Sequence, residues 1–231
     1  QGRFLIKFND GNVLVVVSPY PTIYGMRFML EMFDEKLLRH SFEDIMRPYP
    51  ELKIMIEDFV LRARHGMMVI TGPDGSGRTS LLYSILSRCK EEFKQIITLE
   101  NSVRYPVSGI SQTQVEDKNM EDALDNVPKQ RPDLVAVNSI RTVRAAELAF
   151  LLTARIPLLV VMNSYDSYVA LEWFCRHNLK SAIKAGLVHA VISPRLIPRV
   201  CPNCAVAFKP SLDQRTEFGI TDSSAQLRMN Q

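Results

Sequence analysis

The sequence predicts an α/β domain built on a parallel sheet, preceded by the end of a smaller β-rich domain. Three observations carry this. From Met67 to His177, short apolar runs alternate with helical patterns, the arrangement of a parallel sheet covered on both faces. Gly72-Pro73-Asp74-Gly75-Ser76-Gly77-Arg78-Thr79 has the spacing of a phosphate-binding P-loop and sits between an apolar run and a helical pattern. The opening residues read instead as consecutive strands separated by turn residues.

Taken in order, Phe4 to Phe8, the turn Asn9-Asp10-Gly11-Asn12 and Val13 to Val17 predict a β-hairpin. Ser18 to Thr22 reads as a proline-containing connection. Met26 to Phe33 predicts a strand, with Arg27 and Glu31 on one face and Phe28, Leu30 and Met32 on the other. Ser41-Phe42-Glu43-Asp44 fits a helix-capping start. A longer helix covers Glu51 to Arg64, with Ile54, Phe59 and Leu61 on its apolar face and Gly66 as its C-terminal cap. Met67 to Ile70 leads into the P-loop, and Ser80 to Leu86 leads out as a helix. Strands follow at Ile96 to Leu99, Leu134 to Val137 and Pro157 to Met162, and helices at Glu121 to Val127, Val143 to Ala154 and Tyr168 to His177. The tail after Lys209 is polar with no strong period. These elements divide the chain into the end of a β-rich subdomain with its linker (1–48), a P-loop core (49–200) and the start of a cysteine-containing subdomain with its tail (201–231).

The 231 residues are 46% hydrophobic and 23% charged, the balance of a globular chain with a sizeable core. A net charge of +3 gives no argument for nucleic acid or a membrane surface. No apolar run approaches the roughly 20 residues of a membrane-spanning helix, and no basic-then-apolar leader opens the chain. The expectation is a cytoplasmic protein without membrane insertion. The abrupt start in a strand-like segment leads to the further expectation of a piece of a longer chain. Four cysteines are few for a disulfide scaffold. Cys89 and Cys175 fall on separate helical patterns and read as buried apolar residues. Cys201-Pro202-Asn203-Cys204 has the spacing of a zinc knuckle, but a structural zinc takes four ligands and this pair supplies two. His40, His65, His177 and His189 share no metal or catalytic spacing, and the aromatic residues form no base-stacking platform.

A P-loop binds phosphate because consecutive backbone N–H groups wrap it and the helix N-terminus adds positive potential. Glycines allow the close approach. Gly72, Pro73, Asp74, Gly75, Ser76, Gly77, Arg78, Thr79 and Ser80 are therefore the candidate nucleotide-binding residues, with the Thr79 hydroxyl placed for Mg2+. Arg78 departs from the motif, which takes a lysine. A lysine is a compact point charge; arginine is bulkier and carries a planar fork. Retention of ATP or ADP with Mg2+ is left open by that exchange.

The order of segments resembles the type II secretion and type IV pilus assembly ATPase family. The resemblance runs through Arg3 to Asp34 (including Pro21-Thr22-Ile23-Tyr24-Gly25), the P-loop at Thr71 to Tyr83, and an acidic box at Thr98-Leu99-Glu100-Asn101-Ser102-Val103-Arg104-Tyr105. It continues through Gly109 to Val115, the second nucleotide strand at Arg131-Pro132-Asp133 to Arg141, and Arg195 to Cys204 near the family's zinc site. It implies a RecA-like core, a homo-hexamer or mixed ring with an active paralogue, and inner-membrane secretion or pilus platform proteins as partners. It also implies a cytoplasmic location, peripheral at the inner membrane of a bacterium, and places Arg141 as a phosphate-sensing residue.

The departures from that pattern are consistent. Where the resemblance implies a glycine followed by the glutamate that activates water, this chain has Asn138-Ser139, and a serine without a partner is no base near neutral pH. The acidic box keeps Glu100 but carries Asn101 and Arg104 in place of acids. Glu31 stands for an arginine and Thr142 for an aspartate. Ala154-Arg155-Ile156 replaces a Thr-Gly-His, and Asn163 or Ser164 stands for a second histidine. Losing one well-placed transition-state contact costs on the order of a hundredfold or more in rate. The expectation is a secretion or pilus motor subunit with impaired or absent ATP hydrolysis, and no residue is assigned a catalytic role, although Glu100 and Ser139 occupy the family's catalytic positions. Two alternatives stand beside it. One is a slow working motor using Glu100. The other is a RecA-like nucleic-acid translocase, against which the modest charge counts.

Overall fold

Val13 to Val17 is β-branched or aliphatic throughout, and it forms the middle of a three-stranded antiparallel sheet in the order β1-β2-β3. The computed structural model describes the chain apart from residues 1, 9–10, 35–40, 94, 199, 201–202, 223–226 and 231. β1 (Gly2–Phe8) pairs with β2 (Gly11–Thr22), Phe4 opposite Val15 and Ile6 opposite Val13. Asn9 and Asp10 of the expected turn lie outside the described residues. β3 (Gly25–Asp34) returns along β2 with Thr22 opposite Gly25. Ser18 to Thr22, expected as a connection, extends β2 instead. Among the described residues β1 pairs with β2 from Gly11 to Val17, and Ser18 to Thr22 pairs with β3.

Ser41 caps helix α1 (Phe42–Met46) as its sequence indicates, its Oγ accepting the Asp44 N–H at 3.0 Å. Helix α2 (Pro50–Arg62) starts on a proline, which gives up no intrahelical bond there. It buries Ile56, Phe59 and Val60, while Ile54 faces solvent. Ile54, expected on the apolar face, lies two residues from Ile56, about 200° around the helix, and so points away from the core. The side chain of Leu61 lies outside the described residues. Gly66 does not cap α2, whose C-cap is Ala63 in extended conformation. Instead Gly66 opens the next strand at φ +86°, where an added Cβ would lie 2.2 Å from the His189 ring.

The core is a six-stranded parallel sheet in the order β6-β5-β7-β8-β4-β9. Its strands are β4 (Met67–Gly72), β5 (Ile96–Glu100), β6 (Ser111–Gln114), β7 (Leu134–Ile140), β8 (Leu158–Asn163) and β9 (Val188–Ile192). Its helices are α3 (Arg78–Cys89), α4 (Met120–Asn126), α5 (Val143–Thr153), α6 (Ser167–Arg176) and α7 (Lys180–Lys184). A 3-10 turn at Val127–Gln130 follows α4. Successive strand residues point to opposite faces. Met68, Ile70, Ala136, Leu159 and Val161 pack with Leu82, Ile85 and Leu86 of α3. Met67, Val69, Val137, Leu158 and Val160 pack with Ala146, Ala149 and Phe150 of α5. This double burial explains why these strands read as continuous apolar runs.

Residues Gln1–Arg195 form one compact unit and Leu196–Gln231 a second. The second holds an antiparallel pair, β10 (Ala205–Phe208) and β11 (Leu227–Asn230), and helix α8 (Leu212–Glu217). The polar tail thus has regular structure, and the signal was present. Ser211 and Gln214 make a capping box, each side chain bonding the other's backbone N–H.

Cys89 is buried on α3, as expected, but Cys175 is exposed. It follows Phe174, a buried residue of α6, by one position and so turns about 100° away from the core. Burial pushes the Cys89 thiol up to about 12 from 9.0. Alkylation of the folded chain near pH 8 is expected to label Cys175 and Cys204 and to leave Cys89 unmodified, as mass spectrometry would report. A folded pKa raised above the unfolded value means that the unfolded chain loses this proton first. Cys89 therefore adds no pH dependence below about pH 9 and lowers stability progressively as pH rises from there towards about 12.

Candidate functional site

β4 is buried along its whole length and delivers the P-loop at the carboxyl edge of the sheet, where ligands of open α/β sheets bind. The loop runs from Pro73 to Gly77, and α3 begins at Arg78. Gly75 and Gly77 take φ of +77° and +91°, left-handed values suited to glycine. At Gly72 an added Cβ would lie 2.5 Å from Ser76 Oγ, so the loop closes too tightly for a side chain there. Gly77 is the N-cap of α3 and brings no side-chain cap. The first-turn N–H groups of Arg78, Thr79 and Ser80 are left by helix geometry without intrahelical acceptors. The Ser76 hydroxyl is buried with no hydrogen-bond partner among the described residues. Turned N–H groups, a helix dipole and an orphaned hydroxyl fit a phosphate group.

The cation of the loop is differently employed. Arg78 Nη1 donates to the Met162 carbonyl at 2.8 Å, and Nη2 donates to Asp74 Oδ1 at 2.6 Å. Asn163 Nδ2 lies 3.4 Å from the same Asp74 oxygen. The Arg78 side chain is only 14% exposed, so the guanidinium is held between α3, the loop and the end of β8. The Thr71 hydroxyl bonds to that of Ser164, linking β4 to the residue that follows β8.

β8 separates the P-loop strand β4 from β7, which ends in Asn138, Ser139 and Ile140. Ser139 has φ +99°, unusual for a residue other than glycine, at the point where the β7–β8 register shifts. Its Oγ accepts from Arg141 Nε at 2.9 Å. Arg141 Nη1 donates to Asp117 Oδ2 at 2.9 Å, and Asn101 donates to the other oxygen of Asp117. Asn101 and Arg141, forty residues apart, thus meet at Asp117, and Arg141 also holds Ser139. No local pattern marked Asp117, because its partners follow the ends of β5 and β7.

Glu100, the last residue of β5, is fully buried. It accepts from Tyr83 Oη at 2.5 Å, Thr98 Oγ1 at 2.6 Å and Gln112 Nε2 at 3.3 Å. Tyr83 Oη in turn accepts the Arg104 N–H at 3.1 Å. Burial, reinforced by the charge of Glu100, pushes the Tyr83 phenol well above its ordinary pKa of 10.0. Both oxygens of Glu100 are thus engaged by protein groups. The Arg104 guanidinium lies 4.1 Å from the centre of the Phe33 ring, joining the acidic-box segment to β3. On the other side of the loop, Arg195 donates to Ser193 Oγ, to the Pro194 carbonyl and to the Tyr165 carbonyl, and its guanidinium borders Gly72. Its place at the loop had no signature in the sequence beyond the run that contains it.

Cys204 is exposed in the second unit, and Cys201 lies outside the described residues. Among the described residues no group of three or more His, Cys, Asp or Glu is placed to hold a metal ion. No described helix is long and apolar enough to cross a membrane.

The Type II/IV secretion system protein family matches residues 1–229. The chain belongs to that family. It is 29% identical over 223 residues to a putative type II secretion system protein E of Escherichia coli K12, covering 94% of this chain and 44% of that protein. It is 28% identical over 226 residues to type II secretion system protein E of Aeromonas hydrophila, with 95% and 44% covered. The chain spans less than half the length of these Type II/IV secretion relatives. Among solved structures, the ADP-bound pilus retraction motor PilT superposes with a TM-score of 0.66 at 16% identity, over 87% of this chain and 60% of that one. The Legionella pneumophila ATPase DotB gives 0.62 at 17% identity, over 85% and 57%. At such identities these two establish a shared fold, an α/β core on a parallel sheet.

Proposed function

We propose that this chain is the P-loop portion of a secretion or pilus-assembly motor subunit whose ATP hydrolysis is impaired or absent. The observation that carries the reading is Arg78. Its fork is matched to the Met162 carbonyl and the Asp74 carboxylate, so the loop's cation is engaged within the protein. Ser139 supports it: the tip of β7 offers a hydroxyl held by Arg141 in place of a carboxylate that could orient water.

The backbone N–H groups of Gly75 to Thr79 would hold the phosphates of ATP or ADP, with Thr79 Oγ1 towards Mg2+. A bound nucleotide would then order the loop and the start of α3 without being turned over. Such a subunit acts structurally, in a ring of six copies or beside an active paralogue, at the cytoplasmic side of the platform proteins that assemble pilins or pseudopilins. The alternative of a slow motor running on Glu100 is less well supported, because that carboxylate is committed to Tyr83, Thr98 and Gln112. The test is phosphate release from Mg-ATP by the full-length protein. The expected result is no release above the background of the Arg78→Ala variant; robust release that Arg78→Ala abolishes would overturn the reading.

A further inference from the structure

The P-loop carries a carboxylate of its own. We propose that Asp74 sets the nucleotide affinity of this loop by competing with the nucleotide's phosphates for the Arg78 guanidinium. This rests on the reading of the loop as a nucleotide site with impaired hydrolysis.

The geometry is that of a matched pair. Asp74 Oδ1 takes Arg78 Nη2 at 2.6 Å, while Arg78 Nη1 takes the Met162 carbonyl at 2.8 Å. Asn163 Nδ2 approaches the same carboxylate oxygen at 3.4 Å. One guanidinium therefore ties the loop, the first turn of α3 and the end of β8 together. A lysine ammonium is a single point of charge on a flexible stem. The planar arginine fork presents two arms in fixed geometry and holds both acceptors at once. Arginine at position 78 and aspartate at position 74 thus make sense together, since each supplies what the other needs.

Two consequences follow for an anion entering the loop. It meets a guanidinium already neutralised by a carboxylate, and it meets the negative charge of that carboxylate. Neither effect touches the backbone N–H groups, so the cradle keeps its shape while its positive potential falls. The size of the effect is limited by solvent. Asp74 is 88% exposed, and exposed pairs are weakened by water and salt. Removing the carboxylate charge is expected to tighten binding about two- to fivefold, more at low salt than at high salt.

The experiment is calorimetry with ADP on the full-length protein, comparing wild type, Asp74→Asn and Asp74→Asn/Arg78→Ala. Asparagine keeps the size of an exposed side chain, so folding is not at issue. Asp74→Asn should lower the Kd about two- to fivefold, or make binding measurable where wild type shows none. Adding Arg78→Ala should remove most of that gain, because the larger part comes from the released guanidinium. A Kd unchanged from wild type, weaker binding, no binding by either protein, or a gain that survives loss of Arg78 in full would each overturn the role of Asp74. Phosphate release measured on the same samples separates the two readings. Turnover by wild type that Arg78→Ala abolishes defeats impaired hydrolysis, whereas an unchanged ADP affinity in Asp74→Asn defeats only the competition.

Discussion

Glu100→Ala is expected to lower the unfolding free energy by about 3–5 kcal/mol, because it leaves buried donors without an acceptor. The carboxylate accepts from Tyr83, Thr98 and Gln112, and it is wholly removed from solvent. Truncation strands the Tyr83 and Thr98 hydroxyls, each at about 1–3 kcal/mol for an unmade buried bond. It also opens a void beside the Tyr83 ring, which packs edge-on against Tyr105 at 4.7 Å between centroids. Glu100→Gln keeps the volume and part of the bonding, so its cost should be smaller, about 1–2 kcal/mol. Urea denaturation of the two variants against wild type checks both figures. A loss below about 1 kcal/mol in Glu100→Ala would mean that the network is dispensable to the fold and that Glu100 serves another purpose.

The combined Arg78→Lys/Ser139→Glu variant is expected to gain ATP turnover on the order of a hundredfold over wild type. A lysine at position 78 cannot bridge Met162 and Asp74 together, so its charge becomes available to phosphate. A glutamate at position 139 adds the missing carboxylate at the tip of β7, where Arg141 would hold it as it now holds the serine hydroxyl. The backbone there already takes φ +99° with a non-glycine residue, so the exchange introduces no new backbone strain. The two changes should act far more than additively, since each supplies one half of a site. Steady-state phosphate release by the four proteins measures this. A double variant no faster than either single would show that these two positions are not what limits hydrolysis.

Much of the fold was legible because its core strands are buried on both faces. Met67 to Ile70, Leu134 to Val137 and Leu158 to Met162 appear in the sequence as unbroken apolar runs. β6 escaped because Ser111-Gln112-Thr113-Gln114 is a polar edge strand, defined by its pairing with β5 and not by its composition. Pro19 and Pro21 suggested a break, yet both lie within β2, opposite Phe28 and Met26 of β3. In the site, the P-loop was visible as a local motif, and Arg78 as an oddity within it. Of the groups that hold Arg78, Asp74 is local, but Met162 comes from a strand more than eighty residues away. Asp117 and Arg195 were invisible for the same reason: a side chain acquires its role at the sheet edge only once the strands are laid side by side.

The central claim is a phosphate cradle kept without the means to break the phosphate bond. Nucleotide binding and phosphate release, measured together on the full-length protein with Mg-ATP, test it most directly. The expected result is binding of Mg-ATP with release indistinguishable between wild type, Arg78→Ala and Ser139→Ala. Turnover by wild type that collapses when Arg78 is removed would contradict it.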